Sequence, residues 1–153
     1  MSGYMVDTMI FNDIADGTIS PDQFPMPIYT THIQLDELLA TKEPRKQLLL
    51  NKFISLKPNV VATQTFVCSI SACGGAAVGS GDLYHSILNK LNDLNSFHKN
   101  NAKDALIAEA SILNDFIFIT REKKLLEAVV FCGGKAMTAE EMIFIGTKKN
   151  ASN

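Results

Sequence analysis

The segment FIFITREKKLLEAVVFCGG, residues 116–134, decides the fold class. Its first five residues, Phe116 to Thr120, carry no charge and are rich in aromatic and β-branched side chains, the composition of a fully buried strand. From Arg121 the pattern becomes that of a helix, closed by Gly133 and Gly134. Short buried strands separated by helical stretches indicate a parallel sheet covered on both faces. The rest of the chain keeps to that alternation.

Upstream, NNAKDALIAEASILND (residues 100–115) reads as a helix capped at Asn100 or Asn101. Before it, DLYHSILNKLNDLNSF (residues 82–97) places Leu83, Ile87, Leu91 and Leu94 on one amphipathic stripe. Downstream, KAM (residues 135–137) reads as a last short strand, and Thr138 with Glu141 forms a capping box that opens a short terminal helix. Near the N-terminus, residues 4–9 of GYMVDTMIF read as a buried strand ending near Asp7. Residues 16–27 hold three of the five prolines and read as a loop. IYTT (residues 28–31) is a second short strand, followed by a helix in THIQLDELLATK and another in EPRKQLLLNKFISLKP, stopped by Pro58. VVATQTFVCSIS (residues 60–71) fits strand or helix, and ACGGAAVGSG (residues 72–81) is a small-residue loop without a phosphate-loop Lys-Ser/Thr pair. The expected architecture is a three-layer α/β/α sandwich with a mainly parallel sheet of four to five short strands. One domain is expected over residues 1–150, with 151–153 as a tail.

The bulk composition agrees. A chain of 153 residues, 46% hydrophobic and 20% charged, suits one soluble globular domain. No apolar stretch approaches the roughly 18 residues of a membrane helix, and the basic and apolar regions of a signal peptide are lacking, so the cytoplasm is the expected location. A formal charge of −2 argues against a surface that coats itself with nucleic acid. Cys68, Cys73 and Cys132 are too few and too unevenly placed for a disulfide framework or a zinc site, and read as reduced thiols. His32, His85 and His98 show no metal-ligand spacing and read as structural. Asp16-Gly17-Thr18 echoes the nucleophile motif of haloacid-dehalogenase-like phosphatases, but Ile14 stands where the nucleophile should be.

The carboxylates carry the chemistry. In a parallel sheet, ligands bind outside the carboxyl ends of the strands. Asp7 lies at such an end, and Glu122 lies just past FIFIT. Asp104 opens the helix before FIFIT and shares its face with the small residues Ala108 and Ser111, which leave room for an ion or substrate. Glu37 lies roughly opposite Leu35, Leu38 and Leu39, and on that ground alone reads as solvated.

In combination, VDT at the first strand, THIQLDEL after the second, NNAKDALIAEA on a late helix and FIFITREKKLLEA behind it resemble the PIN-domain family of metal-dependent nucleases. The spacing is similar to its small single-domain prokaryotic members, many of them toxin ribonucleases. The resemblance implies a metal-dependent endoribonuclease acting on single-stranded RNA, with an antitoxin protein or a second copy of the chain as partner. It places the family's acids on Asp7, Glu37, Asp104 and Glu122, supported by Thr8 and Thr120, and so moves Glu37 from surface to site. Two departures stand out: Met9 replaces a frequent Asn, and Glu122 is one methylene longer than the usual Asp. They favour the alternative of a PIN-fold module that has lost catalysis and binds RNA or protein.

Four converging acids repel, by roughly 4 kcal/mol for a pair about 4 Å apart at an effective dielectric near 20. Protons or metal must compensate. An all-oxygen set suits Mg²⁺ or Mn²⁺, and at least one acid is expected to have a raised pKa without them. Lys99, Lys103, Arg121, Lys123 and Lys124 are the candidates for contact with the RNA backbone.

Overall fold

The computed structural model describes residues 2–67, 70 and 81–152. Five parallel strands form one sheet in the order β3-β2-β1-β4-β5. They are β1 (Tyr4–Val6), β2 (Ile28–Thr30), β3 (Asn59–Val60), β4 (Ile117–Ile119) and β5 (Lys135–Met137). Among the described residues seven α-helices connect and cover them: α1 (Thr8–Ala15), α2 (His32–Leu39), α3 (Arg45–Leu56), α4 (Asp82–Asn95), α5 (Asn101–Leu113), α6 (Lys123–Phe131) and α7 (Ala139–Ala151).

Side chains alternate across the strands, so each strand feeds both layers. Met5 and Phe118 point into a core shared with Ile87 and Leu91 of α4, Leu106 of α5 and Leu125 of α6. Tyr4, Val6 and Ile119 point the other way, onto Ile10 and Phe11 of α1, Leu49 of α3 and Met142 of α7. The three-layer α/β/α sandwich expected from the sequence is the observed architecture, with all strands parallel.

The first element differs from expectation. β1 stops at Val6, and residues 8–15, of which Thr8 and Met9 were expected to continue the strand, are α1. Ile10, Phe11 and Ile14 are its buried residues, a helical spacing that the continuous apolar run from Tyr4 conceals. The terminal helix α7 runs 13 residues rather than a short stretch. Its capping box is present: the Thr138 hydroxyl accepts from the Glu141 N–H at 3.2 Å, and the Glu141 carboxylate accepts from the Thr138 N–H at 2.7 Å. Gly146 lets α7 lie close to Gln23, whose carbonyl oxygen would stand 2.7 Å from any Cβ. The ambiguous segment after Pro58 contributes the two-residue edge strand β3, while Cys68, Cys73 and most of the small-residue loop lie outside the described residues. Cys132 is a free, half-buried thiol.

The strand order reverses its direction of growth at β1. From there β2 and β3 extend one way, and β4 and β5 the other. The crevice at the carboxyl ends of β1 and β4 is thus the switch point at which sheets of this kind bind ligands. Val6 lies level with Ile119, so Asp7 and Thr120, the next residues, emerge side by side. Glu109 fixes α4 against α5. Its buried side-chain Oε2 accepts from the Tyr84 N–H at 3.1 Å and the Thr65 hydroxyl at 2.9 Å, supplying an acceptor to a helix whose N-cap, Gly81, has no side chain.

Candidate active site

Asp7 is held at every polar atom. Its N–H donates to the Ile119 carbonyl at 3.0 Å, across the β1–β4 junction. Its Oδ1 accepts from the Thr8 N–H at 2.8 Å, so it is the N-cap of α1. Its Oδ2 accepts from the Thr120 hydroxyl at 2.9 Å. Both Asp7 and Thr120 are buried. Each carboxylate oxygen still has a lone pair to offer.

Glu37 joins this group from α2. Its Oε2 accepts a hydrogen bond from the Thr8 hydroxyl. The buried residues of α2 are Ile33, Gln34 and Leu38, whereas Leu39 is 44% exposed. Glu37 therefore lies on the inward edge of the helix and not opposite it, as leucine spacing alone indicates. The deciding residue is Gln34, a polar side chain with no exposure. Its amide donates to the Val6 carbonyl at 3.1 Å and binds the start of α2 to the end of β1.

Asp104 approaches from the first turn of α5, half-buried, and accepts no hydrogen bond from any described residue. Glu122 is the N-cap of α6 without a capping side-chain bond, exposed, with its N–H donating to the Thr120 hydroxyl at 3.0 Å. Asp104 and Glu122 line a cavity of about 400 Å³ together with Asn95, His98, Asn100, Lys123 and Lys124.

The electrostatics tie the four acids together. Burial pushes the Asp7 carboxyl up to about 6, and the charges of Glu122 and Glu37 push in the same direction, against the Thr120 and Thr8 hydrogen bonds. Asp104 is pushed up to about 8, by burial first and then by Asp7, Glu122 and Glu37, with Lys103 opposing. A raised pKa on at least one acid was expected from repulsion. Burial is the larger cause, and repulsion adds to it.

Among the described residues, no three His, Cys, Asp or Glu side chains are drawn together closely enough to grip one ion as they stand. The donor set itself fits a hard divalent cation: all oxygen, with both Asp104 oxygens free of hydrogen bonds, and with a charge balance that a cation would relieve.

The basic candidates divide. Lys123 and Lys124 line the cavity with Asp104 and Glu122, and Lys124 Nζ donates to Asn95 Oδ1 at 3.5 Å. Lys103 lines a smaller cavity of about 140 Å³ with Ile33, Asp36 and Ile70. Lys99 is exposed on the α4–α5 connection. Arg121 is drawn elsewhere: its Nε donates to Asp13 at 2.5 Å and its Nη1 to Glu140, bridging α1 and α7. Met9, also singled out from the sequence, is 44% exposed on α1. Asn95, His98 and Asn100 were not singled out as site residues, since polar residues in a turn carry no spacing signal of their own.

No protein-family model matches the chain, and no curated protein matches it. No helix among the described residues is long and apolar enough to cross a membrane. The site is therefore assigned from its own residues.

Proposed function

We propose that this chain is a divalent-metal-dependent endoribonuclease of the PIN type, acting on single-stranded RNA. The observation that carries the proposal is geometric: at the switch point of the sheet Asp7 and Glu37 are tied through Thr8, Thr120 bonds both Asp7 and the Glu122 N–H, and Glu122 shares a cavity with Asp104. Asp7, Glu37, Asp104 and Glu122 would hold Mg²⁺ or Mn²⁺, which when bound activates water and offsets charge on a phosphodiester. Thr120 and Thr8 orient Asp7 and Glu37 by direct hydrogen bonds. Lys123 and Lys124 attract the phosphate backbone to an otherwise acidic rim. Asp104, raised to about 8, holds a proton at neutral pH until positive charge arrives.

A second reading, a binding module of the same fold, is favoured by the exposure of Glu122 and by the absence, among the described residues, of three acids already gathered for one ion. One experiment separates the two. Purified chain is incubated with mixed-sequence single-stranded RNA and Mn²⁺ or Mg²⁺, with Asp104→Asn as control. Cleavage lost in the variant supports the nuclease. Cleavage equal in the variant, or none with either ion, overturns it.

A further inference from the structure

The cavity has two unlike walls. On the α6 side stand Lys123 and Lys124, point charges suited to phosphate. On the α4–α5 side stand Asn95, His98 and Asn100. Hydrogen bonds make this second wall rigid. Asn95 donates to the Asn101 side chain at 3.2 Å, and buried Asn101 donates to Asn92 at 2.9 Å, pinning the turn to both helices.

Two groups on this wall are left to serve a ligand. His98 Nδ1 accepts from the Asn100 N–H at 3.2 Å, so in the neutral ring the proton is on Nε2, which is free to donate. The Asn100 carboxamide makes no hydrogen bond with a described residue and does not cap α5, and so offers a donor and an acceptor together. That pairing matches a base edge better than it matches a phosphate, which only accepts.

Phe97, next to His98 in the α4–α5 turn, is 82% exposed and stands outside the residues that line the cavity. Its φ is 52° and that of Ser96 is 50°, two successive residues in the left-handed region, which is rare for a bulky side chain. Phe97 belongs to neither hydrophobic core. An aromatic ring held in water on a strained turn, without packing to repay it, is the form of a stacking platform.

We propose that the α4–α5 turn is a nucleobase subsite: Phe97 stacks on one base of single-stranded RNA beside the scissile phosphodiester, and His98 Nε2 and the Asn100 carboxamide read its edge. This rests on the nuclease reading. It gives that reading a preference for unpaired RNA, because a base within a duplex cannot be stacked on a protein ring.

The test uses the full chain, Mn²⁺ and a single-stranded RNA decamer, with each position around the cut made abasic in turn. At one position, abasic substitution should lower kcat/KM roughly tenfold, the loss of one base–aromatic stack. Phe97→Ala should slow the intact RNA to that same level and suffer no further loss from the abasic site, while Phe97→Trp should retain the wild-type rate. Asn100→Ala and His98→Ala should flatten the ranking of A, C, G and U at that position. Without any cleavage step, 2-aminopurine placed there should be quenched on binding the wild type and not on binding Phe97→Ala. Cleavage by Phe97→Ala at the wild-type rate and with the wild-type base ranking would overturn the subsite and leave the nuclease standing. Absence of RNA cleavage in every form would overturn both.

Discussion

The Thr120 hydroxyl donates to Asp7 Oδ2 at 2.9 Å across 113 positions of sequence and accepts from the Glu122 N–H at 3.0 Å. One buried hydroxyl thus joins the ends of β1 and β4 and the start of α6. Thr120→Val keeps the shape and removes the donor. Without it the Asp7 carboxyl rises above about 6, because the hydrogen bond favours its charged form. A hydrogen bond to a charged group contributes about 1.5–3 kcal/mol. The loss of stability should therefore be larger at pH 8, where Asp7 is ionised, than at pH 5, where it holds a proton. Urea unfolding at both values checks this, and equal losses would show that the hydroxyl does not act on the charge.

Asp104 and Asp7 both have folded-state pKa values above the ordinary 3.8. Between about 4 and 8 the folded state accordingly binds more protons than the unfolded chain, and stability falls as the pH rises through that window. In the presence of a chelator, the thermal midpoint should drop from pH 5.5 to 8.5. Asp104→Asn should raise the thermal midpoint at pH 8 and flatten the profile, leaving only the Asp7 contribution, which is lost as the pH passes about 6. Mg²⁺ or Mn²⁺ should restore the wild type at neutral pH and do little for the variant. A midpoint indifferent to pH and ions would remove the electrostatic account of the site.

The alternation of strands and helices was legible because β4 and α6 are strongly patterned, and because Thr138 and Glu141 mark a helix start by composition. The α1 start was not. Asp7 both ends a strand and caps a helix, with no turn between them, so the apolar residues on either side read as one run. Glu37 misled for a related reason. The α2 helix buries Gln34 to hold β1, and periodicity drawn from leucines alone points to the wrong face. Which segments would share a site was read only from their order along the chain. That Asp7 and Thr120 emerge side by side depends on β1 and β4 being neighbours, a long-range pairing that no local pattern states.

Glu122 occupies the N-cap of α6 without making the capping bond. Aspartate is among the preferred residues there, since its shorter side chain reaches the second and third N–H groups of the helix. Glu122→Asp should stabilise the domain by about 0.5–1 kcal/mol, read as a rise in thermal midpoint. It should also keep or raise RNA cleavage and narrow the advantage of Mn²⁺ over Mg²⁺, because Mg²⁺ demands stricter octahedral geometry. Stabilisation with complete loss of cleavage would mean that the added methylene is required for the ligand set.

Three of the five basic candidates should separate by salt dependence. Lys123 and Lys124 line the cavity, so changing either to Ala should weaken RNA binding and reduce the slope of log K against log salt by roughly 0.7, the value for one single-strand phosphate contact. Fold stability should hardly move, since both are exposed. Arg121 should behave in the opposite way. It is held by Asp13 on α1 and Glu140 on α7, and those partners push its guanidinium pKa up. Arg121→Ala should therefore cost stability, about 1 kcal/mol for a half-exposed network of this kind, while the salt slope stays unchanged. Anisotropy titrations of single-stranded RNA from low to moderate salt, beside urea unfolding of the same variants, supply both quantities. A reduced slope for Arg121→Ala would mean that RNA draws the side chain out of its bridge, so that binding and the packing of α1 against α7 are coupled.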